Sequence, residues 1–132
     1  NTLTTHDNPI PHERVLDWLE QQRRAGLRLM VLSNNHEARV APFAQGLGLE
    51  YLSDAAKPLP GQVRKALQKM GVTHREAAII GDQIFTDVLC GRLAGCLAIL
   101  VEPMELENFG FFKVKRALEK GILRRYRRRR GL

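Results

Sequence analysis

The sequence predicts an α/β domain, a parallel sheet with helices on both faces, three layers in all. Two patterns and one bound predict it. Short apolar runs alternate with amphipathic stretches along most of the chain, and those runs end in polar residues. At 132 residues and 44% hydrophobic content, the chain fills one compact core and not two.

Pro11 followed by His12 to Gly26 reads as a helix, with Val15, Leu16 and Leu19 on one face and Gly26 as its stop. Leu27 to Leu32 is a buried strand running into the polar Ser33-Asn34-Asn35. A helix over His36 to Gln45 either tolerates Pro42 or kinks there, and Glu50 to Leu52 is a short strand. Leu59 to Met70 places Val63, Ala66, Leu67 and Met70 at helical spacing, with Gly71 after them. Ala77 to Ile80 is a short buried strand that breaks at Gly81-Asp82; Ile84 to Leu93 is helical, and Leu97 to Val101 is a further strand. From Phe109 a helix turns Phe112, Ala117 and Leu118 or Ile122 inward before dissolving into Arg124–Arg130. Residues 1–112 therefore form the core, and residues 113–132 a basic helix and tail.

Charge follows the same division. Residues 113–132 hold ten of the 21 basic residues and one of the 14 acidic ones, a net +9 that leaves the other 112 residues at −2. The pI near 10 thus describes the extension rather than the fold. No run approaches the ~18 apolar residues of a membrane span, and no signal peptide is visible at the given start. Cys90 and Cys96 are too few for a disulfide framework and read as small buried thiols in a reducing cytosol. His6, His12, His36 and His74 show no metal spacing, and Trp18 reads as core or interface.

In open parallel sheets ligands bind outside the carboxyl ends of the strands, so the polar strand ends carry the candidate chemistry. Ser33-Asn34-Asn35 offers a hydroxyl and consecutive amides at a helix start, which suit phosphate. Lys57, just before a helix, offers a positive charge to the same anion. Gly81-Asp82 through Thr86-Asp87 places two carboxylates five apart, a spacing that suits Mg²⁺. Taken singly, each has a plainer reading: a helix N-cap, a solvated lysine, a cap and an exposed acid. Their order along the chain is what makes the combination specific.

That combination resembles the haloacid dehalogenase superfamily of phosphatases. Val31 to Asn35 matches motif II, Ala56-Lys57-Pro58 motif III, and Ile80 to Asp87 motif IV. Lys57 to Pro60, Gly81 to Asp87 and the basic helix Phe112 to Arg130 are closer still to the YqeG-type subfamily IIIA, similar to mitochondrial phosphatidylglycerophosphate phosphatases. The resemblance implies a Rossmann-like fold without a large cap, and phosphomonoester hydrolysis through an aspartyl phosphate, with Mg²⁺ as cofactor. It implies that Thr2, Ser33, Asn34 and Lys57 bind phosphate, that Ser33 and Lys57 belong to the catalytic set, and that Asp82 and Asp87 hold the metal, Asp87 directly or through water.

One departure stands out. Asn1-Thr2-Leu3 matches the end of motif I, Asp-x-Asp-Asn-Thr-Leu, whose two aspartates are the nucleophile and the acid/base group. Neither lies within the 132 residues, and nor does the central strand that carries them; Asp7 is no substitute. The expectation is an N-terminally truncated phosphatase, inactive and poorly folded alone.

Roughly thirty residues separate motif I from Ser33, too few for an inserted lid. An open site favours a phosphate carried on something large, a lipid head group, a protein or a nucleic acid end; the resemblance to lipid phosphatases implies a phosphatidylglycerophosphate-like lipid as the leading substrate and the cytoplasm, peripheral to the inner face of the membrane, as the expected location. The basic tail suits an anionic membrane, RNA through Arg124–Arg130 with Tyr126 stacking, or a merely solvated end. Two rivals remain: a phosphoreceiver domain, whose acidic pair belongs ahead of the lysine, and a non-catalytic RNA- or ribosome-associated module on the same fold.

Overall fold

The structure, a computed structural model, describes residues 2–4, 10–104 and 110–131. His6, Asp7 and Phe109 lie outside the described residues, as do the side chains of Phe111 and Phe112. The order of elements is α1 (Glu13–Arg24), β1 (Met30–Leu32), α2 (Glu37–Gly46), β2 (Glu50–Leu52) and α3 (Gly61–Met70). A 3₁₀ turn (His74–Glu76), β3 (Ala78–Gly81), a π turn (Ile84–Val88), α4 (Leu89–Ala94), β4 (Leu97–Leu100) and α5 (Gly110–Arg130) follow.

Local chemistry accounts for the helix ends. His12 caps α1 by accepting the Arg14 N–H, Glu13 and the Arg23–Arg24 pair complement the helix dipole, and Gly26 leaves the helix at φ +82°. Thr73 and Glu76 form a reciprocal capping box that turns the chain toward β3. Pro42 is the sixth of the ten residues of α2, and the helix runs on past it to Gly46 without the hydrogen bond a proline cannot donate.

The strands pair in parallel as expected, but as two separate two-stranded sheets. Met30, Val31 and Leu32 lie opposite Glu50, Tyr51 and Leu52, while Ala78 to Gly81 lie opposite Leu97 to Leu100. No sheet ladder joins β1 to β3 among the described residues. That break falls where the resemblance puts the central strand.

The expected burial of Ala77–Ile80 is corrected for the same reason: with no strand paired on the other side of β3 among the described residues, Ile80 is 38% exposed, and its partner Ile99 39%. The core lies instead under α3 and α4, where Val63, Cys90 and Cys96 are buried and Leu32, Leu67, Ala77, Ile79 and Ala94 pack against them. Gly91 permits this approach: a Cβ there would stand 3.2 Å from that of Ala98 and 3.4 Å from that of Ile79. Both cysteines are free and buried.

Two further expectations change. Arg124–Arg130 does not dissolve but continues α5 to Arg130. Of the expected inward residues, Phe112 has no described side chain, Ala117 is exposed, and Leu118 and Ile122 are 58% and 44% exposed; among the described side chains of α5 the buried one is Glu119. The reason is the surface it meets, a loop of polar main chain rather than an apolar sheet face.

Candidate active site

The ends of β1 and β3 and the loop before α3 converge. Ser33 extends the β1–β2 ladder by one bond, its N–H to Leu52 O at 3.0 Å, and its Oγ accepts the Asn35 N–H at 3.1 Å. The hydroxyl thus supports the turn it belongs to. Asn34 reaches across: its Oδ1 accepts the Lys57 N–H at 2.8 Å, and its Nδ2 donates to Lys57 O at 3.2 Å. This amide clamp fixes a segment of unusual backbone, with Asp54 and Ala56 at φ +46° and +51° and a cis Lys57–Pro58 bond.

The Lys57 ammonium donates to Leu32 O at 3.1 Å and to Asp87 Oδ1 at 2.6 Å. It therefore joins the end of β1 to the turn after β3, a side-chain link between the two sheets. Asp87 is buried, and its Oδ2 accepts the Gln83 N–H at 3.1 Å. The sequence puts glycine at 81 for a steric reason: a Cβ there would fall 2.3 Å from Asp87 Cβ and Cγ. The π turn of Ile84–Val88, a widened geometry frequent at functional sites, brings both the Asp87 and Val88 N–H groups to Gln83 O.

Asp82 is 5% exposed and accepts the Thr2 hydroxyl at 2.8 Å on Oδ1, a contact spanning 80 residues of chain. Arg116 of α5 donates to Asp82 Oδ2 at 2.5 Å and to Asp82 O at 2.7 Å. Burial pushes the Asp82 carboxyl up, but the hydrogen bonds from Arg116 and Thr2 to its ionised form outweigh this and hold it below its ordinary value. Burial likewise lowers the Arg116 guanidinium, and Asp82 and Glu119 more than restore it. Glu119, 3% exposed, accepts the Ile84 N–H at 2.8 Å, with Phe85 N–H at 3.4 Å, and pairs with Arg116 at 3.0 Å. Lys115 donates to Gln83 Oε1, which also accepts from Thr86.

The structure thus links Thr2 to Asp82, and Asn34 to Lys57 to Asp87, while Ser33 makes only its local turn contact through its hydroxyl. Arg116 and Glu119 were not foreseen. The available signal was Glu119 itself, the lone acid among ten basic residues, three positions from Arg116 on a helix.

The haloacid dehalogenase-like hydrolase profile matches residues 2–95. The chain belongs to the haloacid dehalogenase-like hydrolases. It is 33% identical over 129 residues to the "Probable phosphatase YqeG" of Bacillus subtilis, covering 98% of this chain and 75% of that protein. It is 30% identical over 97 residues to "Phosphatidylglycerophosphate phosphatase 1, chloroplastic/mitochondrial" of Arabidopsis thaliana, 73% of this chain but 28% of that one. A crystal structure of a haloacid dehalogenase-superfamily hydrolase from Ehrlichia chaffeensis superposes with a TM-score of 0.63 at 21% identity, over 86% of this chain and 60% of the other. The fold is accordingly the α/β, Rossmann-like one of the family, and the class of activity is that of a phosphatase.

Members of this family take a magnesium ion, and the donors at Asp82 fit one in kind. They are hard carboxylate oxygens, buried, with a hydroxyl already fixing one of them. Among the described residues no cluster of three or more His, Cys, Asp or Glu side chains stands ready to enclose a metal. The fit is therefore to an ion that keeps waters and shares substrate oxygens, as Mg²⁺ does.

Proposed function

We propose that this chain forms the phosphate- and metal-binding body of a Mg²⁺-dependent phosphomonoester hydrolase that acts on a phosphate borne by a phosphatidylglycerophosphate-like lipid. The observation that carries the reading is the Thr2–Asp82 hydrogen bond, which seats the end of motif I on the motif IV carboxylate from the far end of the sequence. In the family chemistry, an aspartate just ahead of Asn1-Thr2-Leu3 would attack phosphorus beside that carboxylate, and the next would protonate the leaving oxygen.

Each residue then has a task. The Thr2 main-chain N–H, its hydroxyl being given to Asp82, and the Ser33-Asn34 segment would donate hydrogen bonds to the phosphoryl oxygens, and Lys57 would offset the negative charge gathered there. Asp82 would hold the magnesium ion, which would supply positive charge to neutralise the phosphoryl group. Asp87, with Lys57 on one oxygen and the Gln83 N–H on the other, orients the lysine more than it ligates. The relatives' names favour this hydrolase over an RNA-binding module.

Two features support a lipid. Fewer than thirty residues separate Leu3 from β1, and the described ones among them hold α1, which is too short a span for a lid domain inserted at this point. On α5, Val114, Leu118, Ile122 and Tyr126 recur every four residues with exposures of 61, 58, 44 and 53%, amid the basic residues. Such a face suits the boundary of an anionic bilayer, each basic residue adding ~1 kcal/mol. No described helix is long and apolar enough to cross a membrane.

The test compares residues 1–132 with a chain that carries Asp-x-Asp ahead of Asn1, each offered phosphatidylglycerophosphate in vesicles and p-nitrophenyl phosphate in solution. The longer chain is expected to hydrolyse the vesicle substrate only with Mg²⁺, and Lys57→Ala to slow it by about 10²–10³-fold. Equal activity of the two chains would defeat the catalytic assignment; a preference for the soluble ester would defeat the lipid one.

A further inference from the structure

The most heavily built contact outside the expected motifs is that of α5 with the Asp82 loop. Arg116 has a side chain 12% exposed, bonds both the carboxylate and the main-chain oxygen of Asp82, and is itself braced by Glu119. Glu119 in turn holds the first main-chain N–H groups of the π turn. A solvated tail would spend no buried ion pair on this.

We infer that Arg116 is a built-in rival of the divalent cation for Asp82, so that the seating of α5 sets the metal affinity of the site. The inference rests on Asp82 being the metal ligand. Asp82 has two carboxylate oxygens: Oδ1 is engaged by Thr2 and Oδ2 by Arg116. A divalent cation taking a carboxylate oxygen at ~2.1 Å would stand within a few ångströms of the guanidinium, and two cations at that range in a buried site repel. Metal entry therefore displaces the Arg116 fork, and with it loosens one of the bonds that seat α5. Thermodynamic reciprocity makes the coupling run both ways: whatever draws α5 off the loop tightens metal binding by the factor by which metal loosens α5.

Mn²⁺ titrations of the whole chain, read by electron paramagnetic resonance, test this without any turnover. Arg116→Met is expected to bind Mn²⁺ at least about tenfold more tightly than the parent, and Asp82→Asn to lose the site whether or not Arg116 is present. Arg116→Lys, which keeps a cation but loses the fork, should fall between parent and Met. Should the Met variant fold poorly, hydrogen exchange of the parent gives an independent reading: saturation with Mn²⁺ should speed exchange of the α5 amides around Arg116. Equal or weaker Mn²⁺ binding by Arg116→Met and Arg116→Lys, or α5 amides indifferent to Mn²⁺, would overturn the rivalry while leaving Asp82 as a ligand. Absence of Mn²⁺ binding in every variant would overturn both.

Discussion

At the scale of single residues, Glu37 shows how a surface carboxylate ties two elements together. The Tyr51 hydroxyl and Ser53 Oγ, the latter at 2.7 Å, donate to its two oxygens and join the start of α2 to β2 and the residue after it. The hydrogen bond from Tyr51, then that from Ser53, favours the ionised form and holds the Glu37 carboxyl below its ordinary value; the same contact raises the Tyr51 phenol. Because the folded value is the lower one, the stability this supplies is present above the ordinary carboxylate range and is lost as pH falls through the folded value. Carbon-detected titration of Glu37 should show its midpoint rise in Tyr51→Phe; an unmoved midpoint would remove the hydrogen bond as the cause. None of this was legible in the sequence, since Glu37 lies on α2 and Tyr51 on β2, and it is the docking of helix on strand, not their spacing, that brings the two side chains together.

At the scale of elements, α5 was legible as a basic helix but not as part of the site. Its charge count pointed outward, toward partners, and its apolar residues were expected to face in. The structure reverses this, because an inward helix surface need only match what it meets, and here it meets unsatisfied main-chain N–H groups and a carboxylate. Glu119→Ala is expected to cost about 3 kcal/mol, the order found when a buried ionic network loses a member. Native-state hydrogen exchange should also show Ile84 losing protection while the amides of β2 keep theirs. A uniform loss across the chain would mean that Glu119 supports the fold at large rather than this turn.

For the whole molecule, the decisive feature is a sheet in two pieces. No ladder joins β1–β2 to β3–β4 among the described residues, and the link between them at the site is the Lys57 side chain, from Leu32 O to Asp87. The two pairs should accordingly open as separate units, so hydrogen exchange at graded denaturant is expected to resolve two free energies of opening. A single isotherm shared by Val31 and Ile79 would count against this. Lys57→Met should widen the gap between the two, since it removes a charged link and leaves the buried Asp87 without its cation.

Local pattern along the chain was enough for the order of strands and helices and the parallel pairing, and the resemblance of its motifs for the family, with Ser33, Lys57, Asp82 and Asp87 as the positions it implies. The first two follow from local period, and the family from the likeness of its motifs. Boundaries near Gly61 and Leu89 and the half-exposure of Ile80 were set by context: what flanks a strand decides how much of it is buried. It took the docked structure to show that Thr2 bonds Asp82, that Asn34 holds Lys57 by its main chain, and that Arg116 and Glu119 close on the Asp82 loop. These contacts join residues 23 to 80 positions apart. Hydrogen-bond geometry over such separations depends on how the elements dock, which no local pattern encodes.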